Sequence, residues 1–233
     1  MKYSIKTIFV SSALVTAFIA GGNASAQVAG IATADPTIAI ARAKALGAGY
    51  QQIQVTYDSY IKQIDGKSAE LQTIQKQLDA NKDNQLTDAE LKIAQDAKSP
   101  AWTSLVAKQN EINTLREPIV IAQHFVIQNI SEQYNAAQEK VVAAKKINLI
   151  VTPDSLVWAP AAADVTNAIT EEIDKVIPVV ATTPPANWQP SRQTAAIHQQ
   201  IQQLLVASAR QQAAQQAAAQ PATGQPAAQP QTR

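Results

Sequence analysis

The sequence contains no cysteine among its 233 residues, and this absence excludes several kinds of chemistry at once. A chain without thiols forms no disulfide, has no thiolate nucleophile and holds no cysteine-ligated zinc or lipid-modified cysteine. Aromatic residues make up only 5%, and the two histidines, His124 and His198, lack the helical spacing of a metal pair. Neither a glycine-rich phosphate loop nor a nucleophile–base arrangement is present. The sequence therefore predicts a protein that is not an enzyme.

An excess of charge of one sign is lacking as well. The full chain carries 19 basic and 18 acidic side chains, and without Lys2 and Lys6 it carries 17 against 18, a net charge of −1. Nucleic-acid binding depends on a clustered basic surface, so this balance predicts no nucleic-acid partner. Alanine, glutamine and isoleucine are abundant instead, which favours long helices with narrow apolar seams.

Long hydrophobic runs are also missing, and the apolar core at residues 8–20 is too short to span a bilayer. Two lysines precede this core, and the small residues 23–26 follow it. This order predicts a cleaved signal peptide over residues 1–26, with Gln27 first in the mature chain; a retained anchor is the alternative. We therefore expect a periplasmic protein without a transmembrane segment in the mature chain.

Residues 37–146 carry the periodicity of two long helices. In the first half, apolar positions alternate between steps of four and three, which predicts a helix packed lengthwise on a partner helix. This seam comprises Leu46, Tyr50, Ile53, Tyr57, Tyr60, Ile64, Lys67, Leu71, Ile74 and Leu78. The matching track comprises Leu105, Ile112, Leu115, Ile119, Ala122, Val126, Ile130, Tyr134, Ala137, Val141 and Ala144. Joined by a short segment, the two helices predict an antiparallel coiled-coil arm on the order of 60 Å long.

The segments beside the arm predict a small β body. Residues 27–36 hold one strand, at 28–33, and residues 147–178 hold two more, at 147–151 and 155–158. A helix at 165–177 follows, capped by Asp164, and helix starts are also predicted at Asp35 and Ser99, each followed by proline. Strands this short leave unpaired edges, so we expect identical chains to complete the body. The predicted fold is mainly α.

Residues 179–233 predict no further domain. A proline-containing linker comes first, and residues 191–210 have the weak amphipathic pattern of a short helix. Residues 211–233 form a Gln/Ala/Pro-rich, low-complexity tail, which this composition predicts to be disordered.

Two stretches resemble the Skp/OmpH family of periplasmic chaperones. IATADPTIAIARAKAL, at 31–46, is similar to the family's first strand and helix entry. KKINLIVTPDSLVWAPAAADVTNAITEEID, at 145–174, is similar to its closing strands and final helix. The resemblance covers roughly residues 30–178 and implies a homotrimer whose arms enclose a cavity for unfolded outer-membrane proteins. Family members are often strongly basic, and this chain is not.

The break between the arm helices reads DANKDNQLTDAE, at 79–90, and fits the twelve-residue EF-hand calcium loop. The residues at the ligand positions are Asp79, Asn81, Asp83, Gln85 through its carbonyl, Thr87 and Glu90. Asn84 replaces the usual glycine, and asparagine tolerates the left-handed conformation needed there. The loop predicts a weak Ca²⁺ site at the arm tip; the alternative is a polar loop that contacts only water. No cofactor is otherwise required.

Two further predictions concern the arm. Pairing residues whose numbers sum to about 184 places Gly66 opposite Pro118, and two helix breakers at one height indicate either a flexible joint or a fixed kink. The apolar residues that lie partly off the seam beyond this joint are Val120, Ile121, Phe125 and Ile127. They predict a shallow apolar client surface, unless they pack against the partner helix.

The family resemblance makes an ATP-independent holding chaperone the favoured function, one that binds unfolded outer-membrane proteins between its arms and prevents their aggregation. A periplasmic coiled-coil adaptor or structural protein with one defined partner is the main alternative. A calcium-responsive binding module, dependent on the tip loop, is the other.

Overall fold

The computed structural model describes residues 30–219 and, within them, the side chains of residues 30–216. The predicted signal peptide, the first two residues of the predicted strand at 28–33 and residues 220–233 of the predicted tail lie outside this part of the chain. The described residues form seven helices and two three-residue strands. The prediction of a mainly α fold is confirmed.

In chain order, the elements are β1 (Ile31–Thr33), α1 (Pro36–Arg42), α2 (Lys44–Thr56), α3 (Asp58–Leu78), α4 (Asp88–Asp96), α5 (Pro100–Lys145), β2 (Leu149–Val151), α6 (Thr166–Val176) and α7 (Arg192–Ala219). Short 3₁₀ turns at Pro153–Ser155 and Ala161–Ala163 lie between β2 and α6. Helices α3 and α5 pack side by side as the arm, and the 46 residues of α5 make it about 69 Å long.

Helices α1 and α5 begin at the predicted capping residues. Asp35 Oδ1 accepts a hydrogen bond from Ile38 N at 2.9 Å, and Ser99 Oγ accepts one from Trp102 N at 3.1 Å. A proline follows each cap, where its missing N–H costs no helical hydrogen bond. Asp164 also binds the start of α6, because its Oδ1 accepts a hydrogen bond from Thr166 N at 2.9 Å.

The first half of the arm is not the continuous helix that its periodicity predicts. Ala43 has an extended backbone, with φ −60° and ψ 132°, and separates α1 from α2. At this break, Lys44 N donates to Asp174 Oδ1 of α6 at 2.8 Å. Tyr57 then separates α2 from α3. The apolar period runs across both breaks, so the pattern alone does not indicate them.

Strands β1 and β2 pair in parallel, with Ile31 beside Leu149 and Thr33 beside Val151. Gly30 precedes β1 with φ +75°, and its carbonyl accepts hydrogen bonds from Asn148 N at 2.7 Å and Leu149 N at 2.9 Å. A positive φ suits glycine and few other residues. This position therefore holds the two strands in register.

The strand predicted at 155–158 is not formed in the described chain. Pro153–Ser155 is a 3₁₀ turn instead, and residues 156–158 are exposed. The described chain places no third strand beside this segment. Without a partner strand, the β-prone residues have no ladder to join.

The core lies where the base of the arm meets α1, α6 and α7. Its fully buried large side chains include Ile40, Ile53, Ile127, Ile130, Ile169, Ile173 and Ile201. Ile201 belongs to α7, and Val180 of the preceding linker is buried in the same cluster. The helix predicted at 191–210 is thus part of the core, and it continues to Ala219, into the segment predicted to be disordered.

Candidate functional site

The predicted apolar seam holds the arm together. Of the residues that form the seam and its matching track, only Tyr60 and Ala144 are exposed, and the others are buried or half-buried. Ile64 of α3 and Ile112 of α5 are buried along the arm itself. The heptad prediction is therefore confirmed for residue burial, despite the breaks in the first limb.

Ion pairs join α3 to α5 beside this seam. Lys67, which occupies a seam position, pairs with Glu111, and Lys108 Nζ lies 2.7 Å from Glu70 Oε2 and 3.1 Å from Glu111 Oε2. The hydrogen bonds that Lys108 donates to Glu70 and then to Glu111 raise the pKa of Lys108, while those that Glu111 accepts from Lys67 and Lys108 lower the pKa of Glu111. These charges cross-link the two helices at one height of the arm.

The same ion pairs correct the predicted alignment of the two helices. The residue numbers of the pairs Lys67–Glu111 and Glu70–Lys108 both sum to 178, not to about 184. Gly66 therefore faces the region of Ile112 and does not lie opposite Pro118. The predicted alignment assumed one straight helix from the body, and the breaks in the first limb remove that assumption.

Pro118 lies instead near the break at Tyr57. By the observed alignment it faces residue 60, one turn from that break. Pro118 has no N–H for the Thr114 carbonyl, so α5 lacks one helical hydrogen bond there. The two limbs of the arm are thus each weakened at nearly the same height, through Tyr57 and Pro118. Gly66 has no part in this arrangement.

The predicted client surface is only partly available in the protomer. Ile127 is fully buried in the core, and the Phe125 ring packs edge-on against Trp188, with centroids 5.2 Å apart. The prediction is therefore wrong for Ile127, whereas Phe125 is half-buried beside the linker before α7. Val120 and Ile121 are half-buried and keep part of their surface in water.

Helix α7 also brings together the two histidines, which are distant from each other in the sequence. The rings of His124 on α5 and His198 on α7 lie edge to face, with centroids 4.3 Å apart. Burial lowers the pKa of His198 to about 4, and the neighbouring His124 adds to this effect. Burial also lowers the pKa of His124. No local motif could have indicated this pair, because it depends on the docking of α7.

The tip loop, residues 79–90, turns on two left-handed residues. Lys82 has φ 59° and Asn84 has φ 63°, so asparagine adopts the conformation expected at the glycine position. Asn84 N donates across the loop to Asp79 Oδ2 at 2.8 Å. Asp79 is only 7% exposed, and its other oxygen, Oδ1, has no hydrogen-bond partner.

Side-chain oxygens in the middle of the loop bind its own backbone. Asp83 N donates to Asn81 Oδ1 at 2.9 Å, and Gln85 N donates to Asp83 Oδ1 at 2.7 Å. The Asn81 amide also donates to Asp83 Oδ2 at 2.9 Å. These bonds hold the side chains of Asn81 and Asp83 together on the loop.

Glu90 closes the loop from the start of α4. Its Oε2 accepts hydrogen bonds from Thr87 N at 3.0 Å and Thr87 Oγ1 at 2.8 Å, and its Oε1 accepts one from Ala80 N at 3.0 Å. Donation from the Thr87 amide is the largest cause of the lowered pKa of Glu90. Glu90 N donates back to Thr87 Oγ1, which completes a capping box.

All six predicted ligand residues thus lie on one loop, but their carboxylates are directed to different partners. Among residues 30–219, no three His, Asp or Glu side chains form a group that could hold a metal ion as they stand. Over the same stretch, no helix is both long enough and apolar enough to cross a membrane.

Residues 30–173 match the family described as outer membrane protein (OmpH-like). The chain belongs to the OmpH-like family. This match covers more than half of the chain and confirms the resemblance noted in the sequence. No curated protein matches the chain.

A crystal structure of a protein assigned as an OmpH-like outer membrane chaperone, from Caulobacter crescentus, is similar in three dimensions. The likeness covers 69% of this chain and 93% of that one, at 16% identity and a TM-score of 0.45. Similarity at this level does not support the family assignment, which depends on the sequence match.

The OmpH-like match ends at Ile173, inside α6. It includes both strands, the arm and the tip loop. The Trp188 contact, the histidine pair and the whole of α7 depend on residues beyond it. The C-terminal segment that packs against Phe125 therefore lies outside the part of the chain that matches the family.

Proposed function

We propose that this OmpH-like protein is a periplasmic holding chaperone that binds unfolded outer-membrane proteins between the arms of a homotrimer. It acts without ATP and without catalysis. The family match over residues 30–173 is the observation that carries the proposal. The predicted signal peptide supports the location in the periplasm.

Exposed apolar residues around the sheet support the trimer. In the protomer, Ile31 and Leu149 of the two strands are exposed, and Val157 and Trp158 have relative exposures of 107% and 79%. A two-stranded sheet of this length is not stable by itself, and large apolar side chains left in water favour a protein contact. Sister chains would cover these four side chains and pair the open edge of the sheet.

The arm surface supports binding of unfolded chains. Its apolar side chains stand singly among polar ones, with Val55, Tyr60 and Val106 exposed and Val120 and Ile121 half-buried. Scattered apolar contacts give weak binding without a fixed geometry, which suits clients that lack structure. A folded partner would instead require a continuous complementary patch.

Two measurements on the mature protein test the proposal. Mass determination should give a trimer, and dilution of a urea-unfolded outer-membrane barrel into near-stoichiometric protein should suppress light scattering without ATP. Val157→Asp combined with Trp158→Ser should give monomers that protect the client poorly. Val179→Asp is the matched control, because Val179 is similarly exposed but lies beyond the family match.

A monomeric wild-type protein, or full aggregation of the client in its presence, would contradict the proposal. Capture of one folded partner, together with no effect on aggregation, would favour the adaptor instead.

A further inference from the structure

We propose that the tip loop, residues 79–90, binds one Ca²⁺ ion through side-chain and backbone oxygens. This site goes beyond the proposed chaperone function, which requires no metal. The position of Asp79 is the observation that distinguishes the loop from an ordinary acidic turn.

Asp79 has a buried oxygen without a partner. The residue is 7% exposed, its Oδ2 accepts the Asn84 amide proton across the loop, and its Oδ1 has no hydrogen bond. The bond from Asn84 N directs the carboxylate into the loop, since Asn84 lies on the opposite side of the turn. A charged oxygen removed from water without a partner is costly, so a cation there would remove that cost.

The helix that ends at this residue adds to the cost. Asp79 is the C-cap of α3, a helix of 21 residues, and the C-terminal end of a helix carries partial negative charge. A carboxylate is therefore disfavoured at this end, whereas a cation is favoured. A cation bound by Asp79 would interact favourably with both the carboxylate and the last carbonyls of α3.

The remaining ligands follow from the loop's own geometry. Asn81 Oδ1 and both Asp83 oxygens are held on the loop by single hydrogen bonds, and each oxygen keeps a lone pair for a cation. The carbonyl of Gln85 follows the left-handed Asn84, as in the sequence pattern of the calcium loop. Thr87 and Glu90 complete the set from the start of α4.

Charge favours a divalent ion. The loop contains four acidic residues and one basic residue, Lys82, a net charge of −3. Its ligands are all oxygens, and six to eight oxygens in a flexible loop suit Ca²⁺ better than Mg²⁺, which demands a near-ideal octahedron.

Binding requires one rearrangement. Glu90 now accepts hydrogen bonds from Ala80 N and Asn81 N through Oε1 and from Thr87 through Oε2. The Oε1 bonds must be released before both oxygens of Glu90 can coordinate the ion. This exchange uses part of the binding free energy, so the dissociation constant should be weak, on the order of 10⁻⁴ to 10⁻³ M. The closed loop should also become more rigid, because the ion ties α3 to α4.

The test is calcium titration of the full mature chain by calorimetry, with two ligand variants and one control. Asp79→Asn retains an oxygen that accepts the Asn84 bond, and Glu90→Gln retains a residue that completes the capping box. Both should weaken Ca²⁺ binding at least about tenfold, as expected when a charged ligand is lost. Asp88→Asn removes the same charge from a non-ligand position in the first turn of α4 and should bind within about twofold of wild type.

Circular dichroism confirms that each variant is folded, and terbium luminescence gives a second signal, since Trp102 and the loop residue Leu86 line the same cavity. No heat at several millimolar Ca²⁺, together with no luminescence on addition of terbium, would overturn the site. An equal loss of Ca²⁺ affinity in Asp88→Asn and Asp79→Asn would also overturn the site. General attraction of the ion to an acidic loop would then explain the binding. Neither result bears on client holding, which is measured without calcium.

Discussion

Gly49 of α2 lies so close to Val126 of α5 that a Cβ atom on Gly49 would stand 3.0 Å from a Val126 methyl group. The same atom would stand 2.9 Å from Val180, in the linker before α7. Contacts this short are not tolerated without movement of the backbone or of a buried side chain. Close packing between α2, α5 and the linker therefore depends on the missing side chain of Gly49.

Gly49→Ala should lower the free energy of unfolding by about 1–3 kcal/mol, because the added methyl group overpacks this junction. Gly47→Ala is the control within the same helix, since its Cβ would meet no atom within 4 Å. That change should stabilise the protein by about 0.5–1 kcal/mol through helix propensity. Urea unfolding measures both, and equal effects of the two changes would contradict the close approach.

The alignment of α3 with α5 can be checked by cross-linking, because the chain has no cysteine of its own. Lys67→Cys with Glu111→Cys should react with a short bismaleimide to give an internally linked protomer, as these side chains meet across the arm. Gly66→Cys with Pro118→Cys should link poorly. Efficient linking of the second pair, and not the first, would restore the alignment that was predicted from the sequence.

Pro118→Ala should stiffen the arm, because it restores an N–H donor for the Thr114 carbonyl opposite the break at Tyr57. Spin labels on α3 and α5 near the tip and on the body should show a narrower distance distribution. Pro100→Ala is the matched control, since Pro100 occupies the first turn of α5, where proline removes no bond. Identical distributions for wild type and Pro118→Ala would mean that the proline only sets a fixed bend.

Docking of α7 should weaken as the pH falls from 6.5 towards 4. The pKa of His198 is lowered from 6.5 to about 4 in the folded protein, so the detached helix binds more protons between these values. Stability from this contact is therefore complete above pH 6.5 and is lost as the pH falls through the folded-state pKa. Hydrogen-exchange protection factors of α7 amides, corrected for the intrinsic exchange rate at each pH, should fall in this range.

His198→Gln is the control for this pH effect, because glutamine cannot take up a proton. The protection factors of α7 amides in this variant should vary less between pH 6.5 and 5, even if the helix is held less tightly at neutral pH. If α7 protection had the same pH profile in wild type and in His198→Gln, the histidine pair would not control docking.

What could be predicted from the sequence was local. The caps at Asp35 and Ser99, the apolar seam and the turn at Asn84 depend on residues a few positions apart, and the structure contains all of them. The family resemblance was confirmed as well. Local physical chemistry was sufficient for these features because their partners are neighbours in the chain.

What could not be predicted depends on residues distant in sequence. The break at Ala43 is stabilised by Asp174, and the Phe125 ring packs against Trp188. The weak amphipathic pattern of α7 gave no indication that Ile201 enters the core, since Thr194 and Ile201 are the buried residues among its described side chains and two positions make little periodic signal. Oligomerisation and calcium binding remain predictions.

The parallel pairing of β1 with β2 determines the order in which parts of the chain can fold. Parallel neighbours need a crossover connection, and in this protein that connection is the whole arm. Residues 31–33 therefore have no ladder partner until residues 149–151 have been synthesised. Helices α3 and α5 can already pack against each other by then, starting at the tip. Closing so long a loop is slow relative to local pairing. Pairing of the two strands therefore follows formation of the arm, and assembly of the trimer that we propose must wait for that step.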